Sequence, residues 1–125
     1  MKQVLFILLI LLPFGAGAQG ISKTTVDTTI IGTWKLKDPG DALMLRKGRE
    51  VCLRETIVFG HRREFSVPKE YHQRQWEYNA KLQAIEIVDL DEMRSRKYML
   101  ESLTANELVF IWGDKGYKLI YLKEE

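Results

Sequence analysis

Apolar and polar residues alternate along most of this chain, and that alternation limits what it can fold into. From Ile30 onward, short runs place apolar residues at every second position, as strands with one buried face do. Turn signals such as Pro39-Gly40 and Asn79-Ala80-Lys81 separate these runs, at the spacing of about 8–12 residues typical of sandwiches and barrels. No stretch keeps the 3.6-residue period of a long helix. The pattern therefore predicts an all-β domain.

The connections between the predicted strands are short, so strands that are neighbours in sequence should pair. An open sheet would leave two edges unpaired, and closure into a barrel removes them. We therefore predict an antiparallel up-and-down meander of about eight strands that closes into a small barrel over residues 30–125. The pattern is weakest in residues 41–71, where one strand is expected around Leu43 and Leu45 and another runs from Val51 to Phe59.

The N-terminal segment has the pattern of a signal peptide. A basic start at Lys2 precedes nine apolar residues at 4–12, and small residues follow up to Ala18. A membrane-spanning helix needs roughly 20 apolar residues, and no cysteine follows this run to carry a lipid. We predict a signal peptide over residues 1–18, cleavage before Gln19, and a periplasmic or secreted protein without a stable membrane anchor. Residues 19–29 are polar and predict a linker or a short entry segment.

Composition excludes several kinds of function. One cysteine, Cys52, cannot build a disulfide framework or a cysteine-rich zinc site. Without Lys2, 18 basic residues face 17 acidic ones, so the mature chain has no strong field for nucleic acid. Only two histidines, His61 and His72, are present, and a catalytic zinc needs about three protein ligands. We expect no enzyme activity, no metal and no cofactor.

Four elements, in order, resemble a known family. Gly32-Thr33-Trp34 is similar to the Gly-x-Trp signature of lipocalins, and the whole set resembles the short lipocalin-like domains of exported Bacteroidetes proteins. The other elements are Trp76-Glu77-Tyr78-Asn79, a late pattern from Tyr98 to Val109, and a closing aromatic strand from Tyr117 to Leu122. The resemblance implies that Gly32 and Trp34 are structural, with the tryptophan closing one barrel end beneath Lys118 or Lys123 in a cation–π contact.

The resemblance also implies a small apolar or amphipathic ligand inside the barrel. Aromatic side chains suit the walls of such a site, and the candidates are Trp76, Tyr78, Tyr98, Phe110, Trp112 and Tyr117. Glu55 shares the parity of Leu53 and Ile57, which would place a carboxylate inside the barrel. Such a group must be paired or protonated. It either pairs with an inward arginine, or is turned outward by a bulge, or contacts the ligand.

Two functions remain open at this point. The first is the binding of a small apolar ligand in a hollow barrel, which an interior void of roughly 300 Å³ or more would favour. The second is an interaction or accessory module acting through its surface, because eight-stranded barrels can be filled by their own side chains. For the second, the stretch from Arg46 to Arg74 carries eight Lys and Arg against four Glu and suits an acidic partner. The sequence names neither a ligand nor a protein partner.

Overall fold

A computed structural model describes residues 20–48 and 50–124, so the predicted signal peptide lies outside the described residues. This part of the chain forms eight strands and two helices, with a short 3₁₀ turn at His61–Arg63. The elements are α1 (Lys23–Thr29), β1 (Gly32–Leu36), α2 (Pro39–Lys47), β2 (Thr56–Phe59), β3 (Glu64–Ser66), β4 (Arg74–Asn79), β5 (Ala84–Asp89), β6 (Arg94–Leu103), β7 (Glu107–Trp112) and β8 (Tyr117–Lys123). Within residues 20–48 and 50–124, neither helix has the length and apolar character needed to cross a membrane.

The strands form a closed antiparallel barrel in sequence order. Each strand pairs with the next, and β1 closes the barrel against β8, where Trp34 lies opposite Lys123. On its other side, Trp34 lies opposite Ile57 of β2. The predicted up-and-down meander of about eight strands is therefore confirmed.

Aromatic side chains fill the barrel interior. Phe59 packs edge-on against Phe65 and Trp76, with ring centroids 5.1 and 5.6 Å apart, and Phe110 packs in the same way against Tyr121 at 6.1 Å. These separations are those of direct ring contacts. The alternating residues predicted to point inward thus pack mainly against one another.

Helix α1 covers one end of the barrel. The Ser22 hydroxyl accepts a hydrogen bond from the backbone N–H of Thr25 and caps the helix. Val26 and Ile30, four residues apart, are fully buried, because that spacing places both on the face toward the barrel. The polar linker predicted over residues 19–29 is therefore wrong for Lys23–Thr29. The helix was not predicted because the segment consists mostly of threonines and other polar residues, with only one buried face.

Trp34 is fully buried and lies beneath a lysine. Lys123 Nζ lies 4.8 Å from the centroid of the Trp34 ring and donates a hydrogen bond to the Thr29 carbonyl at 3.1 Å. Gly32 has φ 140°, and a Cβ there would lie 2.6 Å from Lys123 Cε. Of the two lysines considered, the cation is therefore Lys123, and Lys118 instead pairs with Glu101 at 2.9 Å.

Helix α2 and the loop after it lie at the opposite end of the barrel, and here the strand prediction is wrong. The strand expected around Leu43 and Leu45 is helix α2, which is capped by Asp38 and has Pro39 in its first turn, a favoured helix start. Leu45 is buried, whereas Leu43 is 52% exposed. The strand expected from Val51 begins only at Thr56.

Candidate functional site

Most of the predicted ligand-contacting side chains are part of the packed core. Trp76, Tyr78, Tyr98 and Phe110 are at most 3% exposed, and the Tyr78 hydroxyl donates to the Ile21 carbonyl at 2.7 Å. Trp112 is only half-buried. Tyr117 is 45% exposed, and its hydroxyl donates to Asp41 Oδ1 at 2.6 Å. Both lie at the α2 end, so the structure does not gather the six aromatics around one space.

Glu55 is exposed, so the two alternatives that place it inside the barrel are wrong, and it is turned outward. The parity argument assumed a strand through this residue, but β2 begins one residue later at Thr56. The buried carboxylate of this region is Glu50, which is 6% exposed. It lies in the loop between α2 and β2, where no periodicity could have identified it.

Glu50 joins the loop to the barrel wall. Its Oε1 accepts hydrogen bonds from the backbone N–H groups of Cys52 at 2.7 Å and Leu53 at 3.2 Å, and from the Tyr98 hydroxyl. Its Oε2 accepts one from Trp112 Nε1 at 3.0 Å. Burial alone would raise the pKa of Glu50, but these four donors outweigh it and lower the pKa below the ordinary 4.5. Glu50 is therefore a buried carboxylate that stays ionised at neutral pH.

The groups beside Glu50 are held in their neutral forms. Burial, followed by the charge of Glu50, raises the pKa of the Tyr98 phenol. Burial likewise raises the pKa of the Cys52 thiol, and a thiol that stays protonated is a poor nucleophile. This cluster therefore has a structural role, which is to anchor the loop to the barrel wall.

A second buried ionic cluster lies nearby, at the strand ends of β4 and β5. The side chains of Arg74 and Asp89 are 2% and 1% exposed, with Arg74 Nε 3.2 Å from Asp89 Oδ2. Asp89 Oδ2 also lies 2.8 Å from His72 Nδ1, and Arg74 Nη2 lies 3.2 Å from Glu70 Oε1. Burial would raise the pKa of Asp89, but hydrogen bonds from the Glu92 N–H and from His72, together with the charge of Arg74, lower it. Asp89 is therefore ionised.

One atom of this cluster has no partner. Among residues 20–48 and 50–124, Arg74 Nη1 is buried and makes no hydrogen bond. A buried donor left in this state costs about 1–3 kcal/mol.

Arg74 and Asp89 carry a sequence signal that our predictions missed. Arg74 has the same parity as Trp76 and Tyr78 in β4, and Asp89 has that of Ile85 and Ile87 in β5. The alternation that identified the core therefore also places these two charges on the inward face, directly opposite each other in the strand register. A charged residue at an inward position in each of two adjacent strands is a pattern that the sequence alone could have revealed.

Both buried clusters border one open cleft of about 900 Å³. It lies between the loop at residues 50–54, the loop at residues 70–72 and the turn between β5 and β6. We call it the charged cleft, because five carboxylates and three arginines are among its described lining residues, whereas only Val51 and Tyr71 offer apolar surface. Tyr71 is 94% exposed.

The charges of the cleft are largely paired with one another. Arg54 Nε lies 3.0 Å from Glu70 Oε2, which bridges Arg54 to Arg74, and Arg94 Nη1 lies 3.3 Å from Glu92 Oε1. The excess of basic residues between Arg46 and Arg74 therefore does not make this cleft a basic surface.

Three side chains of the cleft have the spacing of metal ligands. Ligand atoms of His72, Asp89 and Asp91 lie within 4.8 Å of one another. Both oxygens of Asp89 are already engaged, however: Oδ2 by His72 and Arg74, and Oδ1 by two backbone N–H groups at 3.0 Å. A cation on Oδ2 would face the Arg74 guanidinium, so we assign no metal to these residues.

The barrel is confirmed by the structure, whereas the lipocalin-like resemblance stays a prediction. The function has to be argued from the charged cleft and the packed interior. The chain matches no protein-family model, no curated protein and no solved structure.

Proposed function

We propose that the protein is a binding module, not an enzyme, and that it holds a small ligand in the charged cleft. The observation that carries this proposal is the open cleft beside the buried Arg74–Asp89 pair, with the exposed side chain of Tyr71 among its lining residues. The cleft volume of about 900 Å³ falls in the usual range of small-molecule sites, about 300–1,000 Å³.

The proposal places the ligand in the cleft and not among the predicted aromatic walls. Phe59, Phe65 and Trp76 make direct ring contacts, as do Phe110 and Tyr121. A ligand in the barrel would have to separate these pairs, with the loss of close packing that this entails. A ligand in the cleft displaces none of them.

Binding without catalysis suits the groups that line the cleft. A general acid or base needs a pKa near the working pH, yet the pKa values of Glu50 and Asp89 are lowered. Both carboxylates also accept several hydrogen bonds that hold them in place. Such groups serve to orient a ligand more readily than to exchange protons with it.

The place of action proposed here rests on residues 1–18. Their basic start, apolar run and small residues before Gln19 are those of an export signal. We therefore propose that the domain binds its ligand in the periplasm or outside the cell.

A surface interaction module is the second candidate, and the packed interior favours it. The turn between β5 and β6 borders the cleft and exposes Leu90 at 40% and Met93 at 82%. Exposed apolar side chains of this kind occur at protein contacts. In this case the cleft would lie at the edge of a protein interface.

Native mass spectrometry of the protein purified from the envelope of its source cells separates these functions. We expect a bound small molecule at a 1:1 ratio, lost from a Tyr71→Ala variant and retained by Leu82→Ala, which removes a side chain 47% exposed in the turn between β4 and β5. A bound apolar molecule that is indifferent to Tyr71→Ala would contradict the cleft. A stoichiometric protein partner without any small molecule would support the interaction module.

A further inference from the structure

The geometry of the charged cleft points to an uncharged, hydroxyl-rich ligand, a saccharide, as its occupant. This inference rests on the proposed function, since it assumes that the cleft binds a small molecule. It is carried by the pairing of the cleft's charges, by the partly exposed Arg54–Glu70 pair and by the exposed ring of Tyr71.

The charge pairing disfavours a charged ligand. Glu70 is shared between Arg54 and Arg74, and Asp89 between Arg74 and His72. An anion bound to either arginine would lie beside these carboxylates, and a cation bound to either carboxylate would lie beside a guanidinium. An uncharged ligand leaves every ion pair in place.

The remaining carboxylates of the cleft are also engaged. Glu50 accepts from four uncharged donors, and Asp91 Oδ2 accepts from the backbone N–H of Gln73 at 2.9 Å. Glu92 pairs with Arg94. Among the described lining carboxylates, Glu50 and Asp91 have no cationic partner, and both already accept hydrogen bonds from uncharged donors.

The hydrogen-bonding groups of the cleft match hydroxyls. A hydroxyl both donates and accepts, so one ligand hydroxyl is able to accept from the partly exposed Arg54 and donate to a free lone pair of Glu70. An apolar ligand would remove these groups from water without replacing their hydrogen bonds. A ligand with several hydroxyls satisfies donors and acceptors together.

Tyr71 supplies the apolar contact that a sugar ring requires. Its side chain lines the cleft and is 94% exposed, so the face of its ring is available. A pyranose carries C–H groups on its faces and hydroxyls around its edge. It is therefore able to pack on an aromatic ring while it makes hydrogen bonds to charged side chains.

An array of neutral, acidic and amine-bearing glycans, probed with the mature protein, tests this inference. We expect binding to neutral glycans alone, and isothermal titration with the best of them should show about a tenfold loss of affinity in Tyr71→Ala. Tyr71→Phe and Leu82→Ala should bind as the wild type does. Arg54→Lys, which removes the hydrogen bond from Nε to Glu70, should weaken binding at least as much; if it does not fold, as judged by its thermal melt, the Tyr71 variants decide the result.

The outcomes separate this inference from the proposed function. Binding confined to acidic or amine-bearing glycans, or a co-purified apolar molecule, with either lost in Tyr71→Ala, would overturn the uncharged saccharide and leave the cleft as a binding site. Binding to neutral glycans that is equal in Tyr71→Ala and the wild type would overturn the saccharide site in this cleft. No glycan bound and no co-purified small molecule would overturn both proposals.

Discussion

Replacement of Glu50 tests whether one buried carboxylate joins the α2 loop to the barrel. In Glu50→Ala, the backbone N–H groups of Cys52 and Leu53 and the Tyr98 hydroxyl all lose the oxygen to which they donate. Trp112 Nε1 loses its acceptor as well. We therefore expect this loop substitution to destabilise the whole domain.

The size of the effect follows from the number of donors. Each buried donor left without an acceptor costs about 1–3 kcal/mol, and three of them converge on Oε1. Part of this cost is recovered, because water enters the site and because the variant no longer buries a desolvated carboxylate. We expect Glu50→Ala to lower the free energy of unfolding by about 3–5 kcal/mol. Glu50→Gln keeps Oε1 but turns an amide toward Trp112 Nε1, and should cost about 1.5–3 kcal/mol.

Urea denaturation at pH 7, followed by tryptophan fluorescence, measures both values. Glu55→Ala is the matched control, because Glu55 is exposed and such substitutions usually change stability by less than about 0.5 kcal/mol. If Glu50→Ala were as stable as Glu55→Ala, the anchoring role assigned to Glu50 would be wrong.

Three further predictions concern acid, the lysine over Trp34 and the thiol. The pKa values of Glu50 and Asp89 are lowered in the folded state from 4.5 and 3.8. The stability that these carboxylates contribute is therefore complete above about pH 4.5 and falls as the pH decreases through their folded pKa values. Between pH 7 and pH 3 the urea midpoint should fall less steeply in Glu50→Gln than in the wild type, and parallel curves would refute this. Lys123→Met should lower the free energy of unfolding by about 1–2 kcal/mol in thermal melts, since it removes a cation–π contact and a hydrogen bond, whereas an equal loss in Lys118→Met would contradict the role of Lys123. Cys52 should react with a thiol-specific disulfide reagent only after urea is added, because it is buried and its pKa is raised; rapid labelling of the folded protein would show that the burial is wrong.

The sequence predicted the barrel because its strands have one buried face and short connections. Trp34 and Leu36, or Trp76 and Tyr78, alternate with charged residues and lie buried as expected. Residues 38–55 could not be predicted in this way. Helix α2 is nine residues long and has two buried apolar side chains, Ala42 and Leu45, which is too few to establish a 3.6-residue period.

The site was harder to predict than the fold, for two physical reasons. Glu50 lies in a loop, where burial follows from tertiary packing and not from local alternation. Arg74 and Asp89 do follow the alternation, but their pairing depends on the register between β4 and β5, which the sequence alone leaves open. Glu55 was predicted in place of Glu50 because the strand was expected to begin at Val51, five residues before β2 begins at Thr56.

The most direct test of the proposed binding site is the chemical-shift map of the ¹⁵N-labelled protein, expressed from Gln19 onward and titrated with the best-binding neutral glycan. The charged cleft predicts that the largest changes fall on the backbone amides of Gln73, Arg74, Asp91 and Arg94, around the cleft and its buried arginine. Changes centred on Phe110 and Leu119, which lie in the packed barrel interior, would place the ligand inside the barrel and contradict the account.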